Sequence, residues 1–277
     1  MKKTSKILAV VLVAVLAVAA LAIFAACGES GEFTGECKYE SYGHTYGAKV
    51  DVVVKGGKIA DVKLYTDAET GWVRTSSPAS TWTQADHDKV EAAYEGWIKE
   101  NIVGQKVKTV LGWEATATAA GQSVGEDVPF ITGGTQSSAR VIVAVQDALC
   151  KLESVSKVTG EVKYDSYGHT YGAKVDVIVM SGKILNVRLY SDKETGWVRT
   201  SGPASTWTQE NHDNTEAAYA GFIANEIVGQ KVKTVLGWEA TATASGQSVA
   251  DGPVITGATQ SSARIIVAVQ DALAKLK

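Results

Sequence analysis

Alternating apolar and polar residues indicate paired β-strands at two places in the chain. Each place has an apolar series, a short turn and a second apolar series, which together predict a β-hairpin. The first contains Val50, Val52 and Val54, the turn Gly56-Gly57, and Ile59, Val62 and Leu64. The second contains Val175, Val177 and Val179, the turn Ser181-Gly182, and Ile184, Val187 and Leu189.

Helical periodicity predicts two helices in the first half of the chain. Thr83 and Asp86 have the spacing of a capping box, and an apolar stripe follows before Gly104, formed by Val90, Tyr94, Trp97 and Ile98. A closing helix after Ser137 is predicted by Val141, Val145, Ala148 and Leu149. The segment 107–113 predicts a further strand. Because strands and helices do not alternate strictly, we expect an α+β fold with a largely antiparallel sheet packed by helices.

The chain repeats itself almost continuously. Gly35 to Leu152 matches Gly160 to Leu276, and the match shifts by a single-residue deletion after Val124. We therefore predict two tandem copies of one small domain, at 35–152 and 160–277, with residues 153–159 as a linker. Copies this similar are also typical of a recent duplication, so identity between them is not by itself a sign of function.

The N-terminus has the pattern of a bacterial export signal. Lys2, Lys3 and Lys6 precede an uncharged apolar run over 7–26, and Cys27 follows. The sequence Phe-Ala-Ala-Cys resembles a lipobox, which implies that residues 1–26 are a signal peptide, that Cys27 is acylated and that 27–34 link the lipid anchor to the first domain. An uncut transmembrane helix is the alternative. Both interpretations place the remainder on the outer face of the bacterial cytoplasmic membrane.

Charge and cysteine content exclude several functional classes. The signal contains three of the 27 basic residues, so the processed chain has 30 acidic residues against 24 basic ones. This balance argues against nucleic acid as a partner. Cys37 and Cys150 stand near the two ends of the first copy and are both absent from the second. They are either a disulfide or two buried thiols. The cysteine and histidine spacing supports neither haem nor zinc.

One segment combines a glycine turn with the start of a helix. It is Thr132-Gly133-Gly134-Thr135-Gln136-Ser137 in the first copy and Thr256-Gly257-Ala258-Thr259-Gln260-Ser261 in the second. Glycine lets the backbone approach a ligand closely, and the free N–H groups at a helix N-terminus favour a phosphate. A Thr hydroxyl in that position could also be esterified by one. An ordinary helix-capping turn is the alternative.

Together, the Thr-Gly-Ala-Thr-x-Ser-Ser segment, the hairpin ending in Gly-Lys-Ile and the Ala-Val-x-x-Ala-Leu helix resemble the FMN-binding domain family. The family includes flavin-carrying subunits of ion-pumping NADH:quinone oxidoreductases and flavinylated extracellular lipoproteins. The resemblance covers essentially each whole copy. It implies that a flavin transferase esterifies FMN onto Thr259 and Thr135, and that the protein transfers electrons from a membrane NADH dehydrogenase or a quinone-linked donor. The family's usual Asp before the modified Thr is replaced by Pro129 and Pro253.

The resemblance also assigns a second segment to the cofactor. The family's Glu-Thr-Pro-Gly loop corresponds to Glu69-Thr70-Gly71-Trp72 and to Glu194-Thr195-Gly196-Trp197. Trp72 and Trp197 either stack on the flavin ring, with Arg74 and Arg199 nearby, or pack within the domain. For Trp82, Trp207, Trp113 and Trp238 we expect burial in the core or between the domains.

The histidines and the remaining tyrosines suggest no reaction of the chain's own. Tyr42, His44 and Tyr46, and in the second copy Tyr167, His169 and Tyr171, are expected to form a solvated strand end rather than a pocket. His87 and His212 are expected on a helix surface. Without a catalytic triad or paired carboxylates, an electron carrier is favoured over an enzyme with its own substrate. The alternative is a non-catalytic surface lipoprotein of the same fold that binds another small ligand or none.

Overall fold

The structure is a computed structural model that describes residues 29–73, 83–198 and 208–276. The signal segment, Cys27, Arg74, Trp82, Arg199 and Trp207 lie outside the described residues. The side chains of His87 and His212 also lie outside the described part. Among the described residues, no helix is both long and apolar enough to cross a membrane.

The fold is α+β, as expected, with small antiparallel sheets packed by helices. The elements of the first half are β1 (Gly31–Ser41), β2 (His44–Lys55), β3 (Lys58–Leu64), α1 (Asp67–Thr70), α2 (Gln84–Asn101), α3 (Val107–Leu111), β4 (Ala115–Thr118), β5 (Gly121–Val124) and α4 (Thr135–Leu149). Strands β1-β2-β3 form one antiparallel sheet, and β4-β5 form a two-stranded one.

The second half has the same element order, except that a π-helical turn follows its long helix. Its elements are β6 (Val155–Ser166), β7 (His169–Met180), β8 (Lys183–Leu189), α5 (Asp192–Thr195), α6 (Gln209–Phe222), a π-helical turn (Ile223–Ile227), α7 (Val232–Leu236), β9 (Glu239–Thr243), β10 (Gly246–Asp251) and α8 (Thr259–Leu273). The sheets are β6-β7-β8 and β9-β10, both antiparallel. Strand β6 already starts at Val155, which pairs with Met180, so most of the predicted 153–159 linker is strand.

The predicted hairpins and helices are confirmed where the local pattern was strong. The turn residues Gly56 and Gly57 both have positive φ, which suits a two-residue hairpin turn. At the start of α2, the Thr83 hydroxyl accepts a hydrogen bond from the Asp86 N–H, and the Asp86 carboxylate accepts one from the Thr83 N–H. This reciprocal pair is a capping box. The predicted closing helix is α4, and most of its side chains are buried.

The predicted strand at 107–113 is wrong, because this segment forms helix α3. Val107, Val110 and Leu111 are all buried. Their spacing of three and four residues is that of one helical face, which β-branched composition had obscured. The corresponding segment of the second half is likewise helical, as α7.

The core of each half lies between its three-stranded sheet and its closing helix. Val50, Val52 and Val54 of β2 are at most 1 % exposed and face α4. Gly35 of β1 lies directly against the backbone of α4, where a Cβ atom would overlap the Ala144 carbonyl oxygen and the Ala148 amide nitrogen. Helix and sheet therefore approach more closely than any side chain at that position would allow.

The outer face of sheet β6-β7-β8 in the second half packs against the first half. Ile178 of β7 is buried in the core of the first half, and Met180 and Leu185 pack against the same core. The Asn186 amide donates hydrogen bonds to the carbonyl oxygens of Leu111 (3.1 Å) and Trp113 (2.8 Å). The contact combines apolar burial with paired polar groups.

We predict that Gly35→Ala destabilises the protein by about 1–3 kcal/mol, because the new methyl group overlaps helix backbone that can move only with the whole core. The free energy of unfolding is measured by denaturant titration. Gly96→Ala is the matched control. Gly96 lies inside α2 with open space around it, so this substitution should stabilise the protein by about 0.5–1 kcal/mol. Equal effects of the two changes would contradict the close packing.

Candidate functional site

The Thr-Gly segment forms a closed turn that leads directly into the last helix of each half. In the second half, Gly257 has φ of 77°, and the Ala258 N–H donates to the Ile255 carbonyl at 2.9 Å. The Ser262 hydroxyl accepts from the Ile255 N–H at 2.8 Å and donates to the Ala258 carbonyl at 3.1 Å. Gly133, Gly134, Ile131 and Ser138 make the same contacts in the first half. The buried serine therefore fixes the turn from inside.

Thr259 and Thr135 occupy the first position of their helices. Neither helix has a side-chain hydrogen bond at its N-cap, which is Ala258 in α8 and Gly134 in α4. The first helical bond at this end of α8 runs from the Ser262 N–H to Ala258, so three N–H groups precede it. Thr259 is exposed and Thr135 is half-buried. The segment thus offers a hydroxyl beside helix N–H groups, which suits a phosphate.

The remaining residues of the segment differ in access to solvent. Thr256 and Thr132 are exposed at the turn. Ser261 and Ser137 are 4 % exposed and face the interior, and the Ser261 hydroxyl accepts a hydrogen bond from Tyr219 at 2.8 Å. These two serines therefore support the helix from within rather than face the solvent beside the threonines.

A buried arginine stands one turn further along each helix. Arg264 is 2 % exposed, and its Nε donates to the Tyr164 hydroxyl at 2.8 Å. Its guanidinium lies over the rings of Tyr164 (5.6 Å) and Tyr171 (5.3 Å), which stack on each other at 6.0 Å. In the first half, Arg140, Tyr39 and Tyr46 have the same arrangement. Burial raises the pKa of Tyr39, although the Arg140 guanidinium opposes this shift.

The sequence patterns do not predict these arginine and tyrosine contacts, although one signal in the sequence points to them. Arg140 and Arg264 are single charges inside the otherwise apolar helix segments Ser-Ala-Arg-Val-Ile and Ser-Ala-Arg-Ile-Ile. A charge on a buried helix face needs a partner, and an aromatic hydroxyl on the facing strand supplies one.

A cavity of about 490 Å³ borders the first turns of α8. Its wall includes Tyr164, Tyr167, Tyr171, Gln247, Gln260 and Arg264. The sequence predicts a solvated strand end here. Tyr42 and Tyr167 do stand at the hairpin tips, each 93 % exposed, but Tyr46 and Tyr171 are buried. The strand end of the second half is therefore one wall of an open cavity.

The Glu-Thr-Gly-Trp segments form small closed turns. Glu69 caps its own helix α1, where its carboxylate accepts from the Thr66 N–H at 2.8 Å, and this bond is the main reason that the pKa of Glu69 is lowered. Thr70 donates to the Thr66 carbonyl and accepts from the Trp72 N–H. Glu194 and Thr195 do the same around Ser191, and Glu194 also pairs with Arg188. All four of these Glu and Thr side chains form hydrogen bonds within their own turn.

Each of these turns positions a tryptophan at the same end of the sheet as the buried arginine. Trp72 is half-buried and packs over Gly47, with the Lys38 ammonium 5.4 Å from its ring centroid. Val73 pairs with Tyr46 in a parallel bridge. Trp197, Gly172 and Lys163 repeat the contact. Each tryptophan turn therefore lies next to the tyrosine pair beside the closing helix, and one side of each tryptophan packs against the glycine of the neighbouring strand.

As expected, Trp113 and Trp238 are partly buried against the cores.

Cys37 and Cys150 are free thiols and do not form the disulfide that was one of the two alternatives. The Cys37 thiol is buried and lies 3.5 Å from the Ala117 carbonyl, to which it donates. Burial raises the pKa of each thiol to about 11. Contacts of Gly35 with Ala144 and Ala148 and of Tyr39 with Arg140 align Cys37 with the middle of α4, whereas Cys150 follows its last turn.

We predict that both thiols react with iodoacetamide at pH 8 about 100-fold more slowly in the folded protein than in denaturant. Burial raises the pKa of each thiol to about 11, so the reactive thiolate is scarce in the folded protein at pH 8. The rate should rise as the pH approaches 11. Peptide mass spectrometry follows each cysteine separately. If neither thiol reacted in denaturant without a reducing agent, a disulfide would be indicated instead.

The candidate site therefore consists of two similar threonine turns, one in each half, with an arginine and tyrosine group behind each. In the described part of the chain, no group of three or more His, Cys, Asp or Glu side chains is placed to hold a metal ion. Comparison of the chain with protein-family models, with curated proteins and with solved structures finds no match.

Proposed function

We propose that this chain is a flavin-carrying electron-transfer lipoprotein on the outer face of the bacterial cytoplasmic membrane. In this proposal an acylated Cys27 anchors two tandem domains, 35–152 and 160–277, and each carries FMN esterified to a threonine. The observation that carries the proposal is the exposed Thr259 hydroxyl at the first position of α8, after a glycine turn. Thr135 is the corresponding acceptor in the first domain.

The turn suits the phosphate end of FMN. The N–H groups that precede the first helical bond of α8, together with the helix dipole, favour a negative charge beside Thr259. Gly257, with its positive φ, leaves the backbone uncovered there. The residues present are therefore compatible with a phosphoester at Thr259. The half-buried Thr135 is less accessible to a transferase, so we expect it to be modified less completely.

The neighbouring cavity of about 490 Å³ is open to solvent, and its mainly polar wall includes Gln260, the residue after Thr259. Tyr164 and Tyr171 supply aromatic surface, and Arg264 supplies a positive charge behind it. FMN would supply the reversible redox chemistry, while these residues would orient the ring and place a cation near it.

The partners follow from the same proposal. A flavin transferase would have to reach the Thr259 turn, which is exposed at Thr256, Gly257 and Thr259. The electron donor would be a membrane NADH dehydrogenase or a quinone-linked protein. The acidic composition gives no support for nucleic acid as a partner.

We predict that Thr259→Ala lowers the intact mass of protein coexpressed with a flavin transferase by one FMN residue, because the ester-forming hydroxyl is removed. The double change Thr135→Ala and Thr259→Ala should abolish the visible flavin spectrum of denatured, desalted protein. Thr256→Ala is the matched control, because it removes an exposed hydroxyl three residues away in the same turn. Circular dichroism checks that each variant is folded.

Two outcomes would overturn parts of this proposal. If a transferase that modifies a known substrate leaves the wild-type mass unchanged, covalent attachment is wrong, and the Pro129 and Pro253 positions become the first variants to test. If the protein also fails to bind free FMN in an equilibrium titration, the better function is a surface lipoprotein of this fold that binds another small ligand or none.

We predict that the membrane form begins at Cys27 and carries lipid on it, because the preceding residues have the pattern of a lipoprotein signal. Mass spectrometry of the N-terminal peptide measures this directly. In the Cys27→Ser variant the acyl acceptor is lost, and the uncut precursor should accumulate. Recovery of a Met1 peptide from the mature wild-type protein would show that the segment is not removed.

A further inference from the structure

One surface differs between the two halves although its sequence is repeated. Leu111, the last residue of α3, is fully buried, whereas Leu236, its counterpart at the end of α7, is 44 % exposed. Other positions around this leucine show the same difference in burial between the halves. Val107, Thr116, Thr118 and Gln146 are each more buried than their counterparts Val232, Thr241, Thr243 and Gln270. We refer to the group around Leu236, formed by Val232, Leu236, Trp238, Thr241 and Thr243, as the Leu236 surface.

The first half's version of this surface is covered by strands β7 and β8. The Gly112 backbone lies beside the Leu185 carbonyl, and the Asn186 amide bonds the carbonyl oxygens of Leu111 and Trp113. Ile178 and Met180 add aliphatic contacts with the same core. The molecule therefore shows which chemistry this kind of surface accepts: a sheet face with aliphatic side chains around one carboxamide, bordered by the ion pair of Asp176 and Arg188.

The covering face differs in sequence from its counterpart in the first half. Ile178, Met180, Leu185 and Asn186 stand where the first half has Val53, Lys55, Ala60 and Asp61. Lys55, Ala60 and Asp61 are all exposed. The residues that make β7 and β8 a docking face are thus absent from β2 and β3, whose outer face is charged and open to solvent.

We propose that the Leu236 surface is a protein-docking surface and that its partner is a β-sheet face of the β7–β8 kind, with aliphatic side chains around a carboxamide. The partner's amide would donate to the carbonyl oxygens of Leu236 and Trp238, as Asn186 does to Leu111 and Trp113. Its aliphatic side chains would cover Leu236. The proposal is independent of flavin binding, since it rests on the contact between the halves alone.

The chain's own first half is a poor occupant of this surface. Asp61 would bring a carboxylate, which only accepts hydrogen bonds, toward two carbonyl oxygens. Lys55 would bring a charge where Met180 packs against apolar side chains. These two residues prevent a head-to-tail contact that would otherwise extend without closing, since the docking and receiving faces lie on opposite halves. The wild-type chain should therefore not associate with itself through this surface.

A converted chain tests the proposal, with the protein acting as its own probe. The changes Val53→Ile, Lys55→Met, Ala60→Leu and Asp61→Asn give the first half the face that β7 and β8 present. The purified chain lacking the signal and with Cys27→Ser is studied by sedimentation velocity over a range of concentrations. We expect the converted chain to form dimers and larger head-to-tail assemblies while the unconverted chain stays monomeric.

The matched control introduces Leu236→Asp into the converted chain. Leu236 is exposed, so the change should leave the fold intact, as checked by circular dichroism and thermal unfolding. It should return the converted chain to monomers. A converted chain that stays monomeric at the highest soluble concentration, or assemblies that survive Leu236→Asp, would overturn the proposal. If the fourfold variant does not fold, the double change Lys55→Met and Asp61→Asn at two exposed positions provides the same test, because it removes both of the unfavourable residues.

Discussion

The close contact between the closing helix and the first strand is the interaction on which each half depends. Gly35 lies against α4, and Gly160 lies against α8, with no room for a side chain in between. Because the approach is backbone to backbone, the helix cannot shift without opening the core. The start of the helix, where Thr135 or Thr259 stands, is thereby held at a fixed position relative to the sheet.

The same contact explains how a charged residue can be buried in the closing helix. With α8 held against β6, the Arg264 side chain reaches the Tyr164 hydroxyl on that strand and lies over two stacked rings. Such a side chain costs free energy unless it finds polar or aromatic partners. The tyrosines meet this need, and they also form a wall of the cavity beside the proposed flavin threonine. Packing and the candidate site therefore share the same residues.

Near-identical sequences in the two halves give different surfaces because, among the described residues, a sheet covers α3 of the first half and leaves α7 of the second half exposed. The first half has β7 and β8 seated on α3, which buries Leu111, while the same helix in the second half leaves Leu236 in solvent. A few substitutions on the covering sheet, such as Asn186 for Asp61, separate a docking face from a solvated one. The two halves thus have similar elements, and a few side chains decide how they associate.

The sequence by itself determined the elements whose signals are local. Alternating valines around Gly56-Gly57 determined the hairpin, the Thr83 capping box determined the start of α2, and the repeat predicted the matching element order of both halves. These signals depend on neighbouring residues, so periodicity and capping chemistry report them directly. The threonine turns were also located from sequence, because a glycine before a helix leaves a local pattern.

Only the tertiary structure decided the features that depend on distant residues. The segment after Lys106 forms a helix of only five residues, and its β-branched composition conceals the helical spacing of Val107, Val110 and Leu111 until their burial shows it. The pairing of Arg264 with Tyr164 joins residues 100 positions apart, and the unbridged thiols follow from where Cys37 lies along α4. The exposure of Leu236 depends on which sheet covers which half. Contacts between residues far apart in the chain leave no periodic trace in the sequence, so only the folded chain shows them.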